Sequence, residues 1–130
     1  LDIQLTIVQT AELDGVVVVT TPQEVALIDA RKAIGLFERV ETPILGIIEN
    51  MSYFQCPSDG KIYHIFGEGG GEREAAKLGV PLLGKIPLDI STRSGGDEGR
   101  PVALEDPGQN PVSAAFRQVA EQCARVVLDR

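Results

Sequence analysis

Four valines in succession, Val16–Val19, set the strongest constraint on what this chain can fold into. A strand with one wet face alternates apolar and polar residues. A run that does not alternate suits a strand covered on both faces, as in a parallel sheet. Asp14-Gly15 before it is a turn signal, and Thr20-Thr21-Pro22 ends it. A second such run, Ile44-Leu45-Gly46-Ile47-Ile48, follows after a helical pattern. Thr21 is predicted to cap that helix, with Pro22 in its first position and Glu24 completing a capping box. The helix is predicted to reach about Arg39, turning Val25, Ile28, Ala33, Leu36 and Phe37 inward, with Pro43 marking the way out. Strand, helix and strand at this spacing form a βαβ unit with a right-handed crossover.

The rest of the chain continues the alternation. Residues 3–11 suit a short helix, and residues 52–71 look irregular. Glu72–Leu78 has a helical pattern stopped by Gly79 and Pro81, and Leu82–Ile86 reads as a third strand ended by Pro87. Residues 88–99 hold a short helix or turn, and residues 100–109 are Pro- and Gly-rich coil. Asn110 and Pro111 open a last helix that buries Val112, Ala115, Phe116, Val119, Cys123 and Val126–Val127. The expected class is α/β, a parallel sheet flanked by helices in one domain. Ligands of such sheets sit at the carboxyl ends of the strands, here Thr20–Gln23, Glu49–Met51 and Pro87–Asp89.

Composition narrows the partners. The net charge of −7 repels phosphate backbones, so nucleic acid and anionic membrane surfaces are not expected partners. No apolar run approaches the roughly 20 residues of a membrane-spanning helix. The first residues carry no basic leader pattern and no initiator Met, so the chain reads as a processed product or a fragment. Two well-separated cysteines, Cys56 and Cys123, fit a reducing cytoplasm better than a disulfide framework.

Four segments occur in order: Thr20-Thr21-Pro22-Gln23-Glu24-Val25-Ala26, Gly46-Ile47-Ile48-Glu49-Asn50-Met51-Ser52, Ile65-Phe66-Gly67 with its glycines, and Gly84-Lys85-Ile86-Pro87-Leu88-Asp89. Together they resemble the Mrp/ApbC branch of the MinD-like P-loop ATPases, which carry iron–sulfur clusters. The resemblance covers nearly the whole chain and implies the C-terminal portion, residues 1–130, of a single P-loop NTPase domain. It implies that Asn50, Pro87 and Asp89 lie beside the nucleotide base. It also implies ATP with Mg²⁺ in the full-length protein, a homodimer, and apo iron–sulfur proteins as targets. The amide of Asn50 offers a donor and an acceptor that match an adenine edge. Read without the resemblance, Asn50 caps a turn, Pro87 ends a strand and Asp89 caps a helix.

The chain departs from the family at two places. No stretch matches G-x-x-x-x-G-K-[ST], so the phosphate-binding loop is absent and no catalytic residue is assigned. This chain alone is not expected to hydrolyse ATP. Gly67–Gly71 does not replace the loop, because Glu68 and Glu72 repel phosphate and no Lys follows at the required spacing. The family often carries C-x-x-C after the "NMS" segment, one pair per subunit, to hold a 4Fe–4S cluster across the dimer. Here the segment reads Cys56-Pro57-Ser58-Asp59, leaving Cys56 as the candidate metal ligand, with Asp59 or His64 as possible companions. A metal-free, MinD-like switch ATPase is the alternative reading. A sheet without its first strands would also expose an open edge.

Overall fold

A computed structural model describes residues 2–129. Helix α1 (Asp2–Thr10) leads into strand β1 (Val16–Thr20), helix α2 (Glu24–Arg39) and strand β2 (Ile44–Glu49). A two-strand hairpin, β3 (Phe54–Gln55) and β4 (Ile62–Tyr63), precedes α3 (Gly70–Leu78), β5 (Leu82–Lys85) and α4 (Ile90–Asp97). A short 3-10 turn (Val102–Leu104) and the long α5 (Pro111–Leu128) complete the fold. The main sheet has the order β1-β2-β5, and both of its pairings are parallel.

The non-alternating runs are explained by two cores, one on each face of this sheet. Ile48, Leu83, Val112 and Val119 bury the side covered by α5, with Val17 and Phe116 packed against them. Ile47 and Val18 bury the other side with Ala30 and Ile34 of α2 and Ala75 of α3. Neighbours in sequence therefore serve opposite cores, and both must be apolar. Gly84 lets α5 come close, because a Cβ there would collide with the side chain of Val119. Cys123 is a free thiol packed against the α5-side core, as its place in the apolar stripe implied.

The structure corrects several expectations. β1 is covered on both faces for only part of its length: it is an edge strand, and Val19 is 59% exposed. Helix α2 starts two residues late, with Gln23 at its N-cap and no side-chain cap bond. Thr21 Oγ1 instead accepts from Gln23 N–H at 3.4 Å, so the predicted capping box does not form. The buried stripe runs through Leu27, Ala30, Ile34 and Phe37, while Val25 is 70% exposed. Of the predicted stripe only Phe37 is buried, because the sheet selects the face that packs against it. The segment 52–71 is not wholly irregular, since it contains the β3–β4 hairpin, and α3 begins at Gly70 rather than Glu72. Residues 100–109 include the 3-10 turn. No helix among the described residues is long and apolar enough to cross a membrane.

At the start of α5, Asn110 Oδ1 accepts from Val112 N–H at 2.9 Å and from Ser113 N–H at 3.1 Å. Asn110→Ala is therefore expected to cost about 1 kcal/mol in chemical denaturation. Arg31 of α2 pairs with Glu74 of α3 and, at 3.2 Å, with Glu24 of its own helix. The Arg31 guanidinium holds the buried Glu74 carboxyl below the usual carboxylate range. A depressed pKa stabilises the fold above the unfolded value, about 4.3, and the benefit is lost as pH falls through the folded value. The denaturation midpoint is expected to fall on acidification across that window, and less steeply in Glu74→Gln.

Candidate functional site

The carboxyl ends of the strands meet at Glu49. It ends β2 and is 1% exposed, among the most buried side chains of the chain. A buried polar group without partners costs several kcal/mol or its share of them, and here both oxygens have one. Oε2 accepts from Gly71 N–H at 2.7 Å, and Oε1 accepts from Ser52 Oγ–H. Gly71 lies in the first turn of α3, whose free N–H groups favour an acceptor. A Cβ at Gly71 would lie 2.6 Å from Glu49 Oε2. The glycine cluster thus serves close approach of α3 to β2.

Beyond Glu49 the chain turns through Asn50 and Met51. Asn50 N–H donates to Thr20 O at 2.7 Å, joining the ends of β2 and β1. Asn50 Oδ1 accepts from Met51 N–H at 2.9 Å, which fixes the orientation of the amide. That bond turns Oδ1 toward the backbone and leaves the Nδ2 donors for other partners. Met51 has φ +51, a left-handed conformation uncommon for a residue with a side chain. Next, Ser52 N–H donates to Ile86 O at 3.0 Å, Ile86 N–H to Glu49 O at 2.8 Å and Leu88 N–H to Tyr53 O at 2.8 Å. These bonds lace the segment after β2 to the segment after β5.

Pro87 is buried, and Asp89 is partly exposed at the N-cap of α4. Asp89 Oδ2 accepts from Thr92 N–H at 3.0 Å and from Thr92 Oγ1 at 3.2 Å, so it performs the capping role that the residue pattern allowed. A cleft of about 420 Å³ brings Pro87, Leu88 and Asp89 together with Tyr53, Cys56 and the N-terminus of α5. Three of the four expected site residues thus share one cavity. Asn50 stands outside its lining, on the adjoining turn.

Cys56 begins the turn of the β3–β4 hairpin as a free, partly exposed thiol, with Sγ 3.0 Å from Ser58 Oγ. Asp59 faces back into the same turn. The Lys61 N–H, with help from Tyr63 and Cys56, holds the Asp59 carboxyl below its ordinary range, and Asp59 in turn pushes the Tyr63 phenol up. His64 turns away toward Glu68, with Nε2 3.4 Å from Oε1. Among the described residues, no three His, Cys, Asp or Glu side chains gather closely enough to hold a metal ion. Cys56 therefore fits a four-thiolate cluster only as one donor among several.

The sequence places Glu49 only at a strand end, and Ser52 and Lys85 only within longer segments, and assigns none of them a role of its own. Lys85 lies beside Glu49 in the sheet register and pairs with Glu72 of α3, which raises its pKa, with Glu49 and Glu68 adding to the effect. The available signal was an acidic residue closing an otherwise apolar strand. Gly71→Ala would press a methyl group onto Glu49, and overpacking of this kind costs about 1–3 kcal/mol. Glu49→Ala, which leaves the Gly71 N–H without its acceptor, is expected to cost about as much. Glu49→Gln keeps an acceptor for Gly71 and a donor for Ser52, so its denaturation midpoint should fall least.

Comparisons with known proteins agree with this architecture. An iron–sulfur cluster carrier protein of Pyrococcus furiosus is 49% identical over 118 residues, covering 91% of this chain and 39% of the relative. The chain thus spans well under half of that relative's length. A nucleotide-binding protein of Archaeoglobus fulgidus, solved in complex with ADP, superposes with a TM-score of 0.67 at 40% identity, covering 76% of this chain and 41% of that one. The Pyrococcus furiosus cell division ATPase MinD superposes with a TM-score of 0.66 at 26% identity, covering 87% and 43%. The ParA family, described as the NUBPL iron-transfer P-loop NTPase, matches residues 1–124, and the chain belongs to that family.

Proposed function

We propose that this chain is the C-terminal portion of a single P-loop NTPase domain in an ATP-binding iron–sulfur cluster carrier. The observation that carries the reading is the shared cleft: Pro87 and Asp89, on the expected base side, line the same cavity as Cys56. In this reading Asn50 donates one Nδ2 hydrogen to a ring nitrogen of adenine. Pro87 lies against the base, and Asp89 holds the start of α4 in place beside it. The phosphates, Mg²⁺ and hydrolysis belong to the phosphate-binding loop, which lies outside this sequence.

Several features support a role as part of a larger domain. β1 has a free edge, and Val19 lies open beside it. A groove along β1, lined by Ile7, Val17, Val19 and Phe37 among others, is of a kind that a further strand would fill. The intact protein would work in the cytoplasm as a homodimer, with a Cys56 from each subunit at the cargo and apo iron–sulfur proteins as recipients. Its acidic surface argues against nucleic acid and membrane as partners. A metal-free, MinD-like nucleotide switch is the second reading, and Asp59 in place of a second cysteine favours it.

Anaerobic reconstitution of the full-length protein with iron and sulfide separates the two readings. Bound iron and visible charge-transfer absorption that disappear in Cys56→Ala are expected of the carrier. No iron in either protein would leave the nucleotide switch. For the base site, Asn50→Asp should weaken ADP binding measured by calorimetry by about 1–3 kcal/mol, because the donors are lost while the bond to Met51 N–H survives. Unchanged affinity would remove Asn50 from the site. Magnesium-dependent ATP turnover by the 130-residue chain alone is not expected.

A further inference from the structure

The β3–β4 hairpin has strands of two residues each. Isolated hairpins are marginal even when longer, so something else must hold this one. Cys56 N–H donates to Lys61 O at 2.9 Å, and Gly60 N–H donates to Cys56 O at 2.8 Å. Gly60 makes the turn with φ +70. Gln55 Nε2 donates to Gly60 O at 3.3 Å, and Asp59 adds a restraint with both oxygens. Oδ1 accepts from Lys61 N–H at 2.8 Å, and Oδ2 accepts from Tyr63 O–H at 3.0 Å. The carboxyl group therefore spans the turn to its returning strand.

Asp59 stands three residues after Cys56, the spacing at which a second thiolate chelates the same cluster. As a ligand it would be a hard oxygen donor, poorly matched to iron–sulfur chemistry. It would also have to share oxygens already engaged by Lys61 and Tyr63. We propose that Asp59 is a clasp and not a ligand: it folds the Cys56 hairpin without metal and leaves each copy one thiolate. A four-iron cluster shared by two copies then has protein ligands on two irons and open positions on the other two.

This proposal rests on the carrier reading and gives it a route for release. A cysteine thiol of a recipient loses its proton to solvent, and its thiolate binds an open iron, displacing the solvent molecule bound there. No electron moves in that exchange. A closed site with four protein thiolates would first have to give one up. Asp59 in this position therefore makes the cargo easy to hand on and hard to keep.

The test uses the full-length protein and two measurements. In the iron-free protein, amide hydrogen exchange should show protection at Cys56, Gly60 and Lys61, lost at Lys61 in Asp59→Ala. Hairpin amides that exchange freely until iron is added would overturn the clasp. In the reconstituted protein, release of iron to a strong chelator is timed. Asp59→Cys should retain iron longer by on the order of tenfold or more, since its second thiolate binds intramolecularly. Asp59→Asn, which keeps hydrogen-bonding capacity toward Lys61 and Tyr63, should bind as much iron as the parent and release it as fast. Loss of iron in Asp59→Asn, or equal release from the parent and Asp59→Cys, would overturn the proposal. No iron on any variant would sink the carrier reading and the open-iron half with it, while the exchange data would still decide the clasp.

Discussion

The buried side chain of Glu49 is the point on which the carboxyl end of the sheet depends. An acidic group at that depth is tolerated only because both of its oxygens are met, one by Gly71 and one by Ser52. These partners come from two segments well separated in sequence. One is the glycine-rich entry to α3, and the other is the turn that carries Asn50. Glu49 thereby joins them directly, alongside the Lys85–Glu72 pair and the packing of Ala75 against Ile47. Through Ser52, Ile86 and Leu88 the same restraint reaches the wall of the cleft and the root of the Cys56 hairpin.

Under the proposed reading, this arrangement would let two chemically different sites lie close together. A base is recognised by rigid flat contacts and a few directed hydrogen bonds. A cluster requires accessible sulfur. The laced backbone after β2 and β5 provides the rigid part, and the hairpin beyond Tyr53 carries the thiol outward. The boundary between them is Leu88 N–H bonded to Tyr53 O. Any movement of the segment at Pro87 would be felt at the first residue before the hairpin.

The architecture was legible wherever it followed from burial. Val16–Val19 and Ile44–Ile48 announce a sheet covered on two sides, and two cores do meet there. Asn110 declares the start of α5, where its side chain accepts from two backbone N–H groups of the first turn. What stayed hidden depended on partners distant in sequence. The inward face of α2 was set by the sheet and not by its own spacing. The N-cap pattern at Thr21 lost to the path the chain takes at Pro22. Glu49 could not be placed without knowing that α3 begins against it. Asp59 was visible as a missing cysteine, but its bond to Tyr63 requires the hairpin register.

Met51 draws a different consequence from the same turn. A side chain in the left-handed region costs roughly 1–2 kcal/mol that glycine would not pay. Glycine at this position would give a cheaper fold and a looser one, since it would also free the backbone on either side of Asn50. Selection for thermal stability alone would thus favour replacing Met51, whereas selection for a fixed amide direction would resist it. If Asn50 reads a base as proposed, Met51 is a place where the demands of folding and of recognition pull apart.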